Sequence, residues 1–392
     1  MYKNWLLTRR NALRLGLATL AGVGATIDVQ SVDTNYQVQS FVKSKRTFNI
    51  NSKKSLKERA ANKGLIYGAA IRYDDLISHP EFAKVVAQQC GILVPEWELK
   101  WSCGNKLLRP NPHSFDFKPA DWMAKFAKKN SMLFRGHTLV WHESLPDWFK
   151  NQVNSQNAES FLIDHIKTVM KHYAGKVHSW DVVNEAIGLW DKRSDGLRKT
   201  PWLEFLGGDY IDLAFRVAAE ADSQALLVYN EFGLDYSTAE DEAKRNAVLK
   251  LLQHLKSKGT PINALGIQAH LSGDKNDFNP QKFREFLSNV ASLGLKIMIT
   301  EMDVTDKKLP KDLVVRDRIV AAAYEDYLSV ALDEPAVIAV ITWGLSDRYT
   351  WLSEFQPRSD RAAVRPLPID AAFNPKLAWN AIARSFDNAP RR

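Results

Sequence analysis

Two glutamates stand where apolar runs break off: Glu185 at the end of "VHSWDVVNE" (177–185) and Glu301 in "LKIMITEMD" (295–303). A carboxylate at the edge of a core is costly unless something needs it there. Neighbouring runs finish in a similar way. "GILVPE" (91–96) ends in Glu96 with Lys100 beyond it, and "MLFRGHTLVW" (132–141) brings His137 and Trp141, with His142 next. Asn184 precedes Glu185, Asn230 and Glu231 end "ALLVYNE" (225–231), and Gln268 and His270 end "ALGIQAH" (264–270). Asp303 follows Glu301, and "AVIAVITWG" (336–344) brings Trp343, with Trp351 beyond. Two carboxyls ringed by imidazole, amide and indole suit hydrolysis of a glycosidic bond. One protonates the departing oxygen while the other attacks the sugar carbon or activates water. Indoles offer flat apolar faces to sugar rings and an N–H to their hydroxyls. Zinc is the alternative for the histidines, but His137 and His142 share no helix face, and a site would need His270 as a third ligand. Glu231 also reads as a loop salt bridge. Trp5, Trp122, Trp148, Trp190, Trp202 and Trp379 lie away from the run ends and are given no part in the chemistry.

The elements that must position these residues are legible in outline. With "LIYGAAI" (65–71) the runs number eight, and helix-length amphipathic segments lie between them. In 239–259 the apolar residues Ala247, Val248, Leu251, Leu252 and Leu255 recur at helical spacing, with Gly259 as the stop. Strands apolar on both faces and separated by helices imply a parallel sheet covered by helices. Eight such units predict an α/β fold, a (β/α)8 TIM barrel forming one catalytic domain. A doubly wound sheet is the alternative and usually has fewer strands. In a barrel the chemistry sits at the C-terminal mouths of the strands, where these polar residues fall.

Composition sets outer bounds. With 45% apolar and 25% charged residues, the chain reads as an ordinary soluble globular protein. Its formal charge of +8 is a weak hint of nucleic acid, since Lys3, Arg9, Arg10 and Arg14 precede residue 26 without any acid and no basic run follows. Residues 1–25 read as an export signal: "TRRNALR" precedes the apolar "LGLATLAGVGA", too short and too rich in Gly and Ala to span a bilayer. The paired arginines resemble a twin-arginine signal, which implies a bacterial source and a periplasmic or extracellular product, free of the membrane after cleavage. Residues 26–54 are expected to form a mobile leader, 55–386 the catalytic domain and 387–392 a tail. Cys90 and Cys103 allow at most one disulfide and have no metal-ligand spacing.

Together, "RGHTLVWH", "WDVVNEA", "GIQAH", "ITEMD" and "ITWGLSDRYTWL", in that order, resemble glycoside hydrolase family ten, the retaining endo-1,4-β-xylanases, over about residues 55 to 386. The resemblance implies Glu185 as general acid/base and Glu301 as nucleophile. It implies that Asn184 holds the 2-hydroxyl of the attacked sugar and that His270, backed by Asp303, hydrogen-bonds the nucleophile. His137, Trp141, Gln268, Trp343 and Trp351 would wall the −1 subsite, while Glu96 and Lys100 would meet the −2 sugar; His142 and Asn230 are further candidates for substrate contact. Xylan and xylo-oligosaccharides are the implied partners, a monomer is expected, and no cofactor is implied. Two departures fall on the −2 side: Trp97 where the family commonly has Asn, and Glu143-Ser144 where Gln often stands at the second position. A mannanase or cellulase barrel would share the carboxyl pair, and a non-catalytic polysaccharide-binding barrel would typically have lost one of them.

Overall fold

The computed structural model describes residues 46–392, so the expected export signal and the first part of the leader lie outside the described residues. Eight runs form one closed parallel barrel. Its strands are β1 (Ile66–Ile71), β2 (Ile92–Pro95), β3 (Leu133–Gly136), β4 (Ser179–Asn184), β5 (Leu226–Glu231), β6 (Ala264–Ile267), β8 (Lys296–Thr305) and β9 (Val337–Thr342), with β7 (His270–Ser272) a short resumption of β6. Each strand pairs with the next, β6 with β8, and β9 returns to β1. Helices cover the outside: α1 (Pro80–Gln89), α2 (Lys118–Lys129), α3 (Ala158–His172), α4 (Tyr210–Ala221), α5 (Ala239–Ser257), α6 (Pro280–Ser292), α7 (Leu313–Ala331) and α8 (Leu377–Asn388).

Period-two alternation divides the core into two layers. Ala70, Ile92, Val94, Val228, Ala264, Met298, Ala339 and Ile341 pack inside the barrel, with Trp343 closing the same cluster near its mouth. The alternate residues, such as Tyr67, Leu93, Leu227 and Val340, join the larger layer beneath the helices. Helix α5 shows the local logic. Thr238 caps it by accepting from the Asp241 N–H, and three acids lie in its first turn, favourable to the helix dipole. Val248, Leu252 and Leu255 are buried, and the chain turns away at Gly259, whose φ of +68° suits glycine.

Some boundaries differ from expectation. The third run stops as a regular strand at Gly136; beyond it, the Leu139 and Val140 N–H groups follow β4 by bonding Asp181 O and Val182 O, each at 3.0 Å. The leader expected at 26–54 is docked from residue 46 onward. Phe48 is 3% exposed, its carbonyl accepts from Asn380 at 3.0 Å, and Arg46 pairs with Asp326. The 387–392 tail is tied down too, because Arg392 donates to the carbonyls of Leu332 and Glu334. Cys90 and Cys103 are both buried and unbridged.

Candidate active site

Both glutamates reach the mouth because their strands are irregular. On β4, Ser179 and Asp181 face inward, and strict alternation would send Asn184 outward. The pairing with β5 skips a step between Asp181 and Val183, so Asn184 lies level with Asn230 and turns inward. On β8 the pairing with β9 slips between Ile299 and Met302. Thr300 and the following Glu301 consequently both reach Asn230: Thr300 Oγ1 donates to Asn230 Oδ1 (2.6 Å), and Asn230 Nδ2 donates to Glu301 Oε1 (2.8 Å). Glu185 begins the exit from β4 at φ +59°, a left-handed conformation costly for a residue with a Cβ, with its N–H bonded to Asn230 O at 2.9 Å. Gln268 Nε2 donates to Glu185 Oε1 at 3.1 Å.

The two carboxyls occupy different environments. Glu301 is buried, and its Oε2 lies 3.1 Å from His270 Nε2, while His270 Nδ1 lies 3.0 Å from Asp303 Oδ1. Trp351 Nε1 donates to the other Asp303 oxygen at 2.7 Å, fixing the far end of this chain. Burial disfavours the imidazolium, but Asp303 and Glu301 on either side outweigh it and push the His270 pKa up to about 10. Burial likewise opposes ionisation of Glu301. The His270 hydrogen bond and the positive potential of His137 and His270 prevail, holding its pKa below the ordinary carboxylate value even though Glu185 pushes the other way.

The surrounding residues complete a cup. His137 Nδ1 meets Asp181 Oδ2 at 2.9 Å, and Arg135 holds the other Asp181 oxygen at 2.5 Å, so His137 is oriented from inside the barrel. Its ring meets Trp343 edge-on, with centroids 5.1 Å apart. Lys100 Nζ lies 5.2 Å from the Trp141 ring and 5.5 Å from the Trp343 ring, tying β2 to both walls. Glu96 is gripped by Arg72 through Nε (3.1 Å) and Nη2 (3.0 Å), and the Arg72 guanidinium lies 4.2 Å from the ring of Trp97. Asn184 Oδ1 accepts from Asn230 at 2.9 Å, whereas its buried Nδ2 has no protein partner among the described residues. A buried donor left open in this way suits a substrate hydroxyl.

Thus Lys100, His137, Trp141, Asn184, Glu185, Gln268, His270, Glu301, Asp303, Trp343 and Trp351 form one connected site, and Glu96 is held apart from it by Arg72. Two candidates move. Asn230 is fully buried, with its amide engaged by Asn184, Glu301 and Thr300, so it holds these residues in place from below. Its fit depends on Gly266, where an added Cβ would lie 2.3 Å from Asn230 Oδ1. His142 Nε2 faces Arg198 Nη1 at 3.3 Å, on the side of Glu185. Glu231 is no loop salt bridge: it pairs with Lys244 at 2.9 Å, completely buried, and accepts from the Ile187 N–H at 3.1 Å. Asp181 was missed, although a charge inside "WDVVNE" was the available signal. Arg198, whose Nε donates to Glu185 O at 2.7 Å, had no such signal. Trp190, given no role above, is 42% exposed and covers the Arg198 guanidinium at 4.5 Å. Among the described residues, no three His, Cys, Asp or Glu are arranged to hold a metal ion.

Known proteins share this organisation. Residues 55–385 match Glycosyl hydrolase family 10. The chain is 35% identical over 317 residues to Endo-1,4-beta-xylanase B of Thermotoga neapolitana, covering 81% of this chain and 86% of that one. It is 34% identical to the Beta-1,4-xylanase of Dictyoglomus thermophilum, covering 81% and 87% respectively. Native xylanase 10B from Thermotoga maritima superposes with a TM-score of 0.76 at 33% identity, covering 85% of this chain and 98% of that one. Xylanase 10B from Thermotoga petrophila RKU-1, in complex with xylobiose, does so with a TM-score of 0.77 at 32% identity, covering 86% and 99%. With its closed eight-stranded barrel and its carboxyl pair at the strand mouths, the chain belongs to glycosyl hydrolase family 10.

Proposed function

We propose that the protein is an endo-1,4-β-xylanase that cleaves internal bonds of xylan with retention of anomeric configuration. The xylanase relatives and the neighbour in complex with xylobiose support xylan as substrate, and the observation that carries the division of roles is the unlike treatment of the two glutamates. Glu301 is kept ionised by His270 and Asn230, as a nucleophile must be, whereas Glu185 Oε1 accepts from a neutral amide. In the first step a Glu301 oxygen bonds to the anomeric carbon, the glycosidic C–O bond breaks, and the Glu185 proton passes to the leaving oxygen. Loss of the Glu301 negative charge on forming the ester then lets ionised Glu185 act as a base. It takes a proton from water, the water oxygen bonds to the anomeric carbon, and Glu301 departs as a carboxylate. Asn184 Nδ2 offers the open donor for the sugar 2-hydroxyl. Its bond to the same Asn230 amide that holds Glu301 fixes sugar and nucleophile relative to each other.

Reducing-sugar release from xylan, mannan and carboxymethyl cellulose distinguishes a xylanase from hexose-directed barrels, and proton NMR of fresh product distinguishes retention from inversion. Glu185→Ala and Glu301→Ala should each abolish most xylan hydrolysis. Azide should restore turnover of an activated aryl xylobioside by the Glu185 variant alone. Full activity in either variant overturns the roles. The basic and apolar amino-terminal sequence supports an exported enzyme, which a cell-fractionation assay would check.

A further inference from the structure

Directly after Glu185 the chain leaves the barrel, turns at Leu189–Asp191 and comes back beside itself. The Gly188 N–H bonds Gly196 O at 3.0 Å, Ile187 bridges Leu197, and the Arg198 N–H bonds Ala186 O at 2.7 Å. The strands approach so closely that a Cβ on Gly188 would lie 2.9 Å from Arg198 Cβ. This return places Arg198, only 8% exposed, beneath the residue assigned above as the acid/base. Its Nε donates to Glu185 O (2.7 Å), its Nη2 to Ile187 O (3.4 Å), and Nη2 also lies 3.8 Å from Glu185 Oε2. Trp190 covers the guanidinium from the solvent side.

We propose that Arg198 is a positioning residue for Glu185: it holds the left-handed backbone from which that side chain projects and sets a permanent, water-shielded cation beside its carboxyl. The proposal rests on Glu185 being the acid/base. The cation has a place in the first chemical step. Glu185 must part with a proton as the leaving group departs, and a fixed positive charge stabilises the carboxylate then formed. Arg198 is suited to the task, because it stays charged throughout and its planar fork serves two carbonyls while still facing a carboxyl. Other charges act on the same group. Glu301 repels its ionised form. His137 and His270 adjoin Glu301, Lys244 lies behind with Glu231 as its own counter-ion, and His142, itself beside Glu143, faces Arg198. Of these cations, Arg198 is the one that grips the Glu185 backbone, and it does so with Nη2 3.8 Å from the Glu185 carboxyl.

The test compares Arg198→Gln, Arg198→Lys and Trp190→Ala on two substrates, xylan and an aryl xylobioside whose leaving group needs no protonation. Arg198→Gln should lose at least tenfold in kcat/KM on xylan and less than about threefold on the activated substrate, the signature of a misplaced proton donor. The alkaline limb of its xylan pH profile should rise by about one unit, because the carboxyl loses a neighbouring cation. Arg198→Lys, which keeps the charge, should leave the limb closer to its original place. Equal losses on both substrates with an unmoved limb overturn the proposal. If the Gln variant does not fold, Trp190→Ala decides. Opening the guanidinium to water should raise the limb by a few tenths of a unit, and an unmoved limb in Trp190→Ala overturns the proposal. Failure of azide to rescue Glu185→Ala would instead overturn the Glu185 assignment, whatever the Arg198 variants do.

Discussion

Replacing His270 by Asn should disarm Glu301, the proposed nucleophile, through its proton affinity. In the native site the imidazole sits 3.1 Å from Glu301 and 3.0 Å from Asp303, one cation between two buried carboxylates. For unit charges 3.1 Å apart, Coulomb's law gives about 1 kcal/mol at the dielectric of water and about 5 kcal/mol at an effective dielectric of 20. Because Asp303 shares the cation, the lower part of that range applies, or about one to two pKa units on Glu301. The Asn variant also leaves two carboxylates without their common counter-ion, so one must bind a proton. The acid limb of kcat/KM for an aryl xylobioside should therefore rise by at least one pH unit. Stability supplies an independent readout. A histidine whose pKa rises from 6.5 to about 10 on folding stabilises the native state fully below pH 6.5, and this contribution is lost as the pH climbs through 10. Glu301, with its pKa lowered on folding, contributes above the ordinary carboxylate range and loses that contribution in acid. The wild-type melting temperature should thus fall between pH 6.5 and 10 more steeply than that of His270→Asn. An acid limb that stays within 0.3 units (a threshold set by roughly 0.4 kcal/mol), together with identical alkaline slopes, would refute the charge-sandwich account.

Two further perturbations probe the supports. Asp181→Asn removes the counter-ion of Arg135, which is 1% exposed, and should cost about 3–5 kcal/mol in urea unfolding. It should also lower activity through a misoriented His137, and wild-type stability in that variant would contradict the ion-pair account. Trp97→Asn removes the ring facing Arg72 and frees the arginine that grips Glu96. Losing that contact should shift KM for short xylo-oligosaccharides about two- to five-fold and alter product lengths; an unchanged product profile on linear and branched xylan would refute a role at the −2 side.

What could be read from the chain alone was whatever obeys a local period or ends one. The eight apolar runs, helix α5 with its stop at Gly259, and the polar residues at the run ends all follow from side-chain alternation and backbone preference. The pair Asn184-Glu185 was visible because a charge closes an apolar run, and the motif order supplied its companion Glu301. The docking of residues 46–54 was not visible, because an aperiodic polar stretch carries no mark of the groove into which Phe48 fits.

The direction each candidate side chain takes was decided by tertiary pairing. Counting by twos from Ser179 sends Asn184 to the outside, and counting from Met298 sends Glu301 there too. Only the slips against β5 and β9 turn both inward, and a slip belongs to two strands, not to either sequence. The same holds for charge. Glu185 and Glu301 are the same amino acid, and nothing local tells the proposed acid from the proposed nucleophile. The difference comes from His270 and Asp303 around one and from Gln268 and Arg198 around the other, brought from other strands and from the loop after β4 by barrel closure. Sequence determined which groups the mouth would hold; the closed barrel decided which of them touch, and proton affinity is a property of touching groups.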